Sequence, residues 1–541
     1  MEQLWKSGAV YQIYPRSFCD SNGDGVGDIP GIISKLDYIA SIGVKIVWLS
    51  PIYKSPKFDM GYDVADYYEI DPEYGTMEDF ERLLAEAKKR GLRIVMDLVV
   101  NHTSSEHPWF RAALKGEMPY HDYYIFKKGK KEGVPPNNWT SMFTGTAWEY
   151  VPELGEYYLH LYDKAQPDLN WRNPKVLEEV ENILRFYLDK GVYGFRCDVI
   201  NQIYKESFED GAGRNPSGRG QEHYLMTEGN HRILRTLYED VFSKYEDHIV
   251  VGETFNVDIE NGIRFLRDKE LDMFFTFEHV ALDKGLFGAL PKKVNPAKLR
   301  EVLYKYQKSI PWNANYWENH DQHRCIARFG SLKYRDASAK ALGTLLLTLK
   351  GTPFIYQGQE LGMLDAPMKD PETSTDCAAQ AVLRLTKGFH LPKWLRYKIC
   401  NGIDRDSCRA PMSWDNSINQ GFTPGDKAWL LFAEDDGTHN VACEDKNPES
   451  VLNFYRKMLD LRAKHEELTH GNFDPLPSKG PLFAFRRVLG KASILVLINL
   501  SAKAIKLPVY LRNIEGKTLL SLGEDIPAGL PPFGVRAIDV G

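Results

Sequence analysis

Short apolar runs alternate with amphipathic stretches along most of this chain, and the alternation restricts its possible folds more than any other feature. The runs have the length of strands, whereas the stretches between them repeat apolar residues at helical spacing and end near Gly or Pro. Eight strand-helix units predict an α/β fold, a parallel (β/α)8 TIM barrel. The strand-like runs are residues 10–18, 45–52, 93–100, 194–200, 249–253, 273–277, 315–320 and 353–356.

Two long segments interrupt this rhythm. A structureless loop is improbable between the third strand and the next helix, so residues 102–172 are predicted to form a small inserted domain. A second insertion, roughly residues 361–426, should overhang the same C-terminal face of the barrel. Four aromatic residues of the inserted domain could line an acceptor site, but a small domain needs aromatic residues for its own core, and the core is the favoured position: Trp139, Phe143, Trp148 and Tyr150.

The last part of the chain has a different pattern. Brief apolar runs at residues 482–487, 493–499, 505–511 and 534–540, separated by Gly, Pro and Asn, indicate antiparallel strands. The predicted domains are therefore a barrel (1–101 and 173–469), an inserted domain (102–172) and a C-terminal β domain (470–541).

Composition excludes several classes of protein. The 541 residues are 43% hydrophobic, which is too much for a disordered chain, and no apolar stretch is long enough to span a bilayer. The 68 basic and 74 acidic side chains give a net charge of −6, so no basic face for nucleic acid is expected. An N-terminus without a signal-peptide pattern and seven cysteines without a CxxC pair favour a cytoplasmic location.

Charged and polar residues collect at the C-terminal ends of the predicted strands, where a barrel of this kind places its active site. Four strands deliver four carboxylates, two histidines, two asparagines and an arginine to one rim: Asp97, Asn101, His102, Arg196, Asp198, Glu253, Asn319, His320 and Asp321. Carboxylates around a sugar-sized space suit cleavage of a glycosidic bond, in which one protonates the leaving oxygen and another attacks the anomeric carbon. The chain has no Gly-rich phosphate loop, HExxH or GxSxG motif, and no organic cofactor is expected.

At these residues the chain resembles the family 13 glycoside hydrolases, the α-amylase superfamily. The segments that look like the four signature regions are DLVVNH (97–102), GFRCDV (194–199), VGE (251–253) and ENHD (318–321). Three further segments are similar to the branch of oligo-1,6-glucosidases, dextran glucosidases and α-glucosidases: DMGYD (59–63), QPDLNW (166–171) and RDSCRAPM (405–412). The resemblance runs over nearly the whole chain and implies the same barrel.

Carried over, the resemblance makes Asp198 the nucleophile, Glu253 the general acid/base and Asp321 a third carboxylate that tightens on the substrate in the transition state. Arg196, two residues before Asp198 on one strand, is expected to hold that nucleophile ionised.

The resemblance also implies a set of substrate-binding residues. His102 and His320 would hydrogen-bond sugar hydroxyls and Tyr62 would support the terminal ring. Asp59 and Arg405 would form an ion pair that closes the inner end of the pocket. Each could instead be a satisfied core residue.

A metal loop is predicted after the first strand. Asp20, Asn22, Asp24 and Asp28 place oxygen ligands at alternate positions, and Val26 could add its backbone carbonyl. Gly31 stands where an EF-hand has its bidentate Glu, so this is no EF-hand. Related glucosidases keep a comparable loop, so a structural Ca²⁺ is expected, with an ion-free Asp/Gly turn as the alternative and Mg²⁺ not excluded.

The leading interpretation is a retaining exo-acting α-glucosidase that cleaves terminal α-1,6 bonds of short oligosaccharides such as isomaltose. Val199 is the indication, because in the resembling branch valine after the nucleophile accompanies α-1,6 activity and threonine accompanies α-1,4 activity. Trehalose-6-phosphate hydrolase shares that valine, and α-1,4-acting or transglycosylating α-glucosidases stay open. A catalytically dead scaffold is disfavoured by the intact acids. The expected partner is a small oligosaccharide, and the oligomeric state is open.

Overall fold

A computed structural model describes residues 3–215, 217–285, 290–367, 370–524 and 526–541, and its central feature is one sheet of eight parallel strands. The strands are β1 (Val10–Ile13), β2 (Ile46–Leu49), β3 (Arg93–Leu98), β4 (Gly194–Cys197), β5 (Ile249–Glu253), β6 (Met273–Phe275), β7 (Ala314–Asn315) and β8 (Thr352–Tyr356). Their order is β6-β5-β4-β3-β2-β1-β8-β7, and β6 and β7 lie against each other. The predicted (β/α)8 barrel is confirmed.

The strands are buried on both faces, which is why they read as continuous apolar runs rather than alternating ones. Parallel register keeps their C-terminal ends level. Val10 of β1, for example, pairs with Ile46 of β2 on one side and with Phe354 of β8 on the other. Residues at the ends of neighbouring strands are thereby brought to a common rim.

A helix follows each barrel strand and packs on the outside of the sheet. The eight are α1 (Leu36–Ile42), α2 (Met77–Lys89), α3 (Pro174–Asp189), α4 (Glu228–Asp240), α5 (Ile259–Arg267), α6 (Pro296–Ser309), α7 (Arg335–Thr348) and α8 (Val451–Lys464). Local sequence sets their ends. Helix α2 starts at a capping box between Thr76 and Asp79, and Pro174 opens α3 after the N-cap Asn173.

The segment between β3 and α3 forms a small three-stranded antiparallel sheet of Phe126–Lys127, Trp148–Val151 and Glu156–Leu159. Trp139 and Trp148 lie in its own core, each 1% exposed. The prediction for two other aromatic residues was wrong. Tyr150 is 48% exposed, and Phe143 is half-buried and lines a cavity of the barrel face instead.

The second insertion follows β8 and contains the helices Cys377–Gly388 and Lys393–Asn401. Residues around these helices reach the C-terminal end of the barrel. Arg405 of this insertion contacts Asp59 and Asp321 of the barrel. The insertion therefore contributes directly to the rim on which the polar residues collect.

The C-terminal part is a five-stranded antiparallel sheet in the order β9-β10-β11-β13-β12, made of β9 (Asn472–Pro475), β10 (Leu482–Leu489), β11 (Ala492–Asn499), β12 (Lys517–Leu522) and β13 (Val535–Asp539). The strand predicted at 505–511 is only Ile505–Lys506, because Pro508 lacks an amide hydrogen and a 3-10 turn follows it. Strand β12 was missed because Leu520 is its one fully buried residue. The residue boundaries given above for the three domains stay a prediction.

In the described part of the chain, no helix combines the length and the apolar character that a membrane span requires.

Candidate active site

One arginine at the rim binds three carboxylates. The guanidinium of Arg196, in β4, donates to Asp198 Oδ1 at 2.8 Å and to Asp97 Oδ1 at 2.6 Å, and its Nη2 lies 2.7 Å from Glu253 Oε2. These acids come from three adjacent strands or their ends, β3, β4 and β5. Arg196 is 1% exposed, and Asp198 and Glu253 are 6% and 8% exposed. The structure thus brings the predicted nucleophile and acid/base together on one cation.

Burial dominates the protonation of this group. It raises the pKa of Asp198, against the lowering effect of Arg196, and the charge of Asp97 adds to the rise. Burial likewise raises the pKa of Glu253 to about 7, again opposed by Arg196 and reinforced by Asp198. Arg196 was expected to hold Asp198 ionised; it does lower the pKa of Asp198, but it does not offset burial, because one guanidinium is shared among three acids. Asp198 and Glu253 can therefore hold a proton between them near neutral pH.

Val199 follows Asp198, the predicted nucleophile, in a strained conformation. Its backbone has φ 38° and ψ 37°, a left-handed geometry that is unfavourable for a β-branched residue. That geometry aims its amide hydrogen at Glu253 Oε2, 3.2 Å away. The residue predicted to influence linkage therefore also fixes Glu253, the predicted general acid/base, through its backbone.

The opposite side of the pocket, here called the inner wall, consists of Asp59, Asp321, Asp376, Arg405 and Arg409. Arg405 Nη2 lies 2.8 Å from Asp59 Oδ1 and 2.6 Å from Asp376 Oδ1, while its Nη1 donates to Asp321 Oδ1 at 3.2 Å. Arg409 Nη2 donates to the same Asp321 oxygen at 2.8 Å. Burial would raise the pKa of Asp321, but the neighbouring His320 and the two arginines hold it well below its usual range.

Three aromatic rings support this wall. His320 is fully buried and stacks on Tyr62, with ring centroids 5.2 Å apart, and on Tyr14 at 5.9 Å. The Gln12 amide lies 2.8 Å from His320 Nδ1, and His320 Nε2 lies 3.0 Å from Asp321 Oδ2. Burial lowers the pKa of His320, so the ring is neutral. Tyr62 in turn donates to Asp97 Oδ2 at 3.1 Å.

His102 is placed at the rim, but both of its ring nitrogens have protein partners. Nε2 lies 2.9 Å from the carbonyl of Tyr62, and Nδ1 lies 3.2 Å from the amide of Asn101. The buried ammonium of Lys205 joins Asn101 to Asp168 of the inserted segment, at 2.8 and 2.5 Å. His102 is thus fixed beside the pocket, and its contact with sugar hydroxyls stays a prediction.

The acids surround a cavity of about 220 Å³. Of the predicted residues, it is lined by Asp59, Tyr62, His102, Asp198, Val199, Glu253, Asp321 and Arg405. Phe143 also lines it, in agreement with the acceptor-site alternative rather than with the favoured core position. Sequence reasoning missed the other aromatic residues of the lining, Tyr162, Phe255 and Phe277, and assigned no role to Gln166, whose Nε2 donates to Asp59 Oδ2 at 3.2 Å. It also missed Asp376 and Arg409. Arg409 stands in the quoted segment 405–412, whereas nothing in the sequence marked Asp376.

The predicted metal loop is folded by its own hydrogen bonds. Asp20 accepts from the amides of Asn22, Gly23 and Gly25 at 2.8–2.9 Å, and Asp28 caps a helix through the amide of Gly31. Oδ1 of Asp24 accepts from the Val26 amide at 2.8 Å. Carboxylate, amide and carbonyl oxygens are the donors that calcium prefers, so the residue types fit the ion. Within the described ranges, however, these three acids do not form a group with oxygens within 4.8 Å of one another.

The model of the alpha amylase catalytic domain matches residues 12–471 of this chain. The chain belongs to the α-amylase family. An oligo-1,6-glucosidase of Parageobacillus thermoglucosidasius is 45% identical over 94% of this chain and 92% of its own length. A trehalose-6-phosphate hydrolase of Bacillus subtilis is 41% identical over 96% of this chain and 94% of its own length.

A solved member of the α-amylase family has the same fold. The crystal structure of a Bacillus licheniformis trehalose-6-phosphate hydrolase, a mutant in complex with PNG, superposes with a TM-score of 0.92 at 39% identity, covering 99% of this chain and all of that one. Membership of the family agrees with the resemblance at the strand ends and makes this protein a glycoside hydrolase.

Proposed function

We propose that this member of the α-amylase family is a retaining, exo-acting α-glucosidase that hydrolyses terminal α-1,6 bonds of short oligosaccharides. The observation that carries the proposal is that Asp198 and Glu253 bind the two ends of one guanidinium. Carboxylates held this way are neighbours, which supports the separation of about 5–5.5 Å typical of retaining enzymes over the wider spacing of inverting ones. The oligo-1,6-glucosidase relative supports the choice of substrate.

The proposed reaction is a double displacement. Glu253 donates its proton to the glycosidic oxygen while an Asp198 oxygen attacks the anomeric carbon, so that the C–O bond breaks and the leaving sugar departs with the proton. Glu253, now ionised, takes a proton from water, and the water oxygen displaces Asp198 from the anomeric carbon. Arg196 supports both steps because it contacts both carboxylates as charge moves between them. The glucose that water releases from Asp198 in the second step has the α configuration.

Exo action is proposed from the closed end of the pocket. The ion pair of Asp59 and Arg405 blocks the cavity on the inner wall, so a chain must enter by its terminus. The available volume of about 220 Å³ is small and suits one sugar ring better than several. Tyr62, stacked on His320, offers the apolar face on which that ring would lie.

The α-1,6 preference is proposed from Val199, which lines the pocket beside both catalytic acids. Trehalose-6-phosphate hydrolysis is the second candidate, because a relative of that name matches nearly the whole chain. Action on α-1,4 bonds and transglycosylation use the same intermediate and differ in the leaving or attacking group. A structural Ca²⁺ held by Asp20, Asn22, Asp24, Asp28 and the carbonyl of Val26, and a cytoplasmic location, are further proposals.

One assay separates these candidates. The purified protein is incubated with isomaltose, maltose, sucrose, trehalose 6-phosphate and dextran, and released glucose is measured over time. We expect the highest kcat/KM on isomaltose and slow release from dextran. A higher kcat/KM on trehalose 6-phosphate would replace the leading proposal by the second, and no glucose from any substrate would refute both.

A further inference from the structure

Asp376 has no assigned role, yet it is the most enclosed carboxylate of the inner wall. It is 1% exposed and lies at the start of the helix Cys377–Gly388, in the insertion after β8. Its side chain is not among those that line the cavity. Asp376 therefore acts on the pocket only through a neighbour, and that neighbour is Arg405.

Asp376 accepts three hydrogen bonds from Arg405. The Arg405 backbone amide donates to Asp376 Oδ2 at 3.0 Å, and its Nε and Nη2 donate to Asp376 Oδ1 at 2.9 and 2.6 Å. Charge-assisted bonds to a guanidinium fix its plane as well as its position. With the Arg405 guanidinium held by Asp376 through Nε and Nη2, its remaining N–H groups donate to Asp59 and Asp321.

We propose that Asp376 is a positioning residue, which orients Arg405 so that this arginine closes the pocket through Asp59 and fixes Asp321 toward the substrate. The proposal rests on the exo-acting function given above. Without the negative charge of Asp376, Arg405 would keep two acidic partners, Asp59 and Asp321, and both belong to the pocket. The guanidinium would then shift toward them, which would loosen the closed end and misplace Asp321.

A purely structural role is the competing explanation, since Asp376 also caps its helix. Oδ1 accepts from the Ala378 amide at 3.1 Å. Asn caps a helix about as well as Asp but carries no charge. The variant Asp376→Asn therefore keeps the helix cap but weakens the hydrogen bonds to Arg405. It separates the capping role of Asp376 from its role in orienting Arg405.

The matched control is Asp404→Asn. Asp404 is also 1% exposed and lies in the same insertion, but it accepts from Ser374 Oγ and from the Ser407 amide rather than from the Arg405 guanidinium. Burial raises the pKa of Asp404 to about 6, so at a pH above that value Asp404→Asn removes a buried negative charge, as Asp376→Asn does, and should leave the inner wall in place. A second test variant, Arg405→Lys, keeps the positive charge but cannot bridge three carboxylates.

The measurement compares release of p-nitrophenol from p-nitrophenyl α-glucoside with release of intact maltose from p-nitrophenyl α-maltoside, because maltose forms only when the extra glucose passes the closed end. For Asp376→Asn we expect KM for the glucoside to rise, and the preference for glucoside over maltoside in kcat/KM to fall, each by about ten-fold. Asp404→Asn should keep the wild-type KM and preference, Asp376→Glu should recover part of both, and Arg405→Lys should resemble Asp376→Asn.

Three results would overturn the proposal: an unchanged preference in Asp376→Asn, an equal loss in Asp404→Asn, or, if Asp376→Asn does not fold, an unchanged preference in Arg405→Lys. Failure of the underlying function looks different, because the wild-type protein would then not hydrolyse the glucoside or would cleave the maltoside equally well. Melting temperatures of all variants show whether the fold survives.

Discussion

The two sides of the pocket neutralise crowded carboxylates to different extents. On the catalytic side, a single guanidinium, that of Arg196, serves Asp97, Asp198 and Glu253. The single positive charge of Arg196 cannot neutralise three carboxylates. Burial therefore raises the pKa of all three acids. This side is therefore able to hold and release a proton near neutral pH.

The inner wall has two guanidiniums for three acids. Arg405 and Arg409 lie among Asp59, Asp321 and Asp376, and the pKa values of Asp321 and Asp376 are lowered in spite of burial. Asp321 and Asp376 stay ionised, and this suits Asp321, which lines the cavity, to hold a sugar and stabilise positive charge on it. The two sides of the pocket differ in their ratio of arginines to carboxylates, and this difference separates proton transfer from binding.

Replacing the nucleophile should have the largest effect. Asp198→Asn keeps the size of the side chain and a hydrogen bond from Arg196, but an amide cannot form the glycosyl intermediate. We expect kcat to fall by about 10⁴-fold or more with little change in melting temperature. Steady-state kinetics measure the fall in kcat, and thermal unfolding measures the melting temperature. Near-normal turnover would refute the role of Asp198 as nucleophile.

The next effect concerns the proton on Glu253. Burial raises the pKa of Glu253 to about 7, so the acid is protonated below that pH and loses its proton above it, and kcat/KM should fall on the alkaline side. Glu253→Gln should lower kcat/KM on isomaltose by about 10²- to 10⁴-fold.

With α-glucosyl fluoride, whose leaving group needs no proton, the same Glu253→Gln variant should form the intermediate without the alkaline fall. Azide, which needs no general base, should then restore turnover and yield α-glucosyl azide. An alkaline fall that persists in the variant would assign the proton to another group.

A smaller effect is expected at Val199. Val199→Thr keeps the β-branched shape and the strained backbone, and adds a hydroxyl beside both acids. We expect the ratio of kcat/KM on isomaltose to that on maltose to fall by about ten-fold, as for other small changes in an apolar contact. Val199→Ala, which removes volume without adding a hydroxyl, is the control. An unchanged ratio in Val199→Thr would move linkage choice to the inserted segment.

The smallest effect concerns the loop at residues 20–28, a third group of acids that has no arginine and relies on backbone amides. If the loop also binds Ca²⁺, chelation should lower the melting temperature by about 2–4 °C while kcat, measured well below that temperature, stays constant. Adding Ca²⁺ back should reverse the shift, and Asp24→Asn should reduce it. Protein without bound Ca²⁺ or Mg²⁺, and without a thermal response to either, would refute the proposal.

The barrel and its catalytic rim could be predicted from the sequence because periodicity locates the strands and parallel register aligns their ends. Asp198 and Glu253 end or follow adjacent strands, so their meeting needs no knowledge of loops. Asp376 could not be found in this way. It meets Arg405 across 29 residues of an insertion whose path no repeating pattern fixes.

Protonation was harder to predict than position. Placing Arg196 beside Asp198 was correct, but the count of acids sharing that guanidinium is a property of the packed rim. Phe143 shows a similar limit, because an aromatic residue in a small domain fits a core and a pocket wall equally well until the two surfaces are placed. Local sequence is enough to predict the strands and helices, whereas the number of acids that share one arginine depends on tertiary contacts.

Identification of the glycosylated residue tests the central claim most directly. A fluorinated glucosyl fluoride that glycosylates quickly and hydrolyses slowly traps the intermediate, and trypsin then cuts after Arg196 and after Lys205. We predict one added glycosyl group on the peptide of residues 197–205, placed on Asp198 by fragmentation, and none in Asp198→Asn. A label on any other carboxylate, or full inactivation without a covalent adduct, would contradict the account.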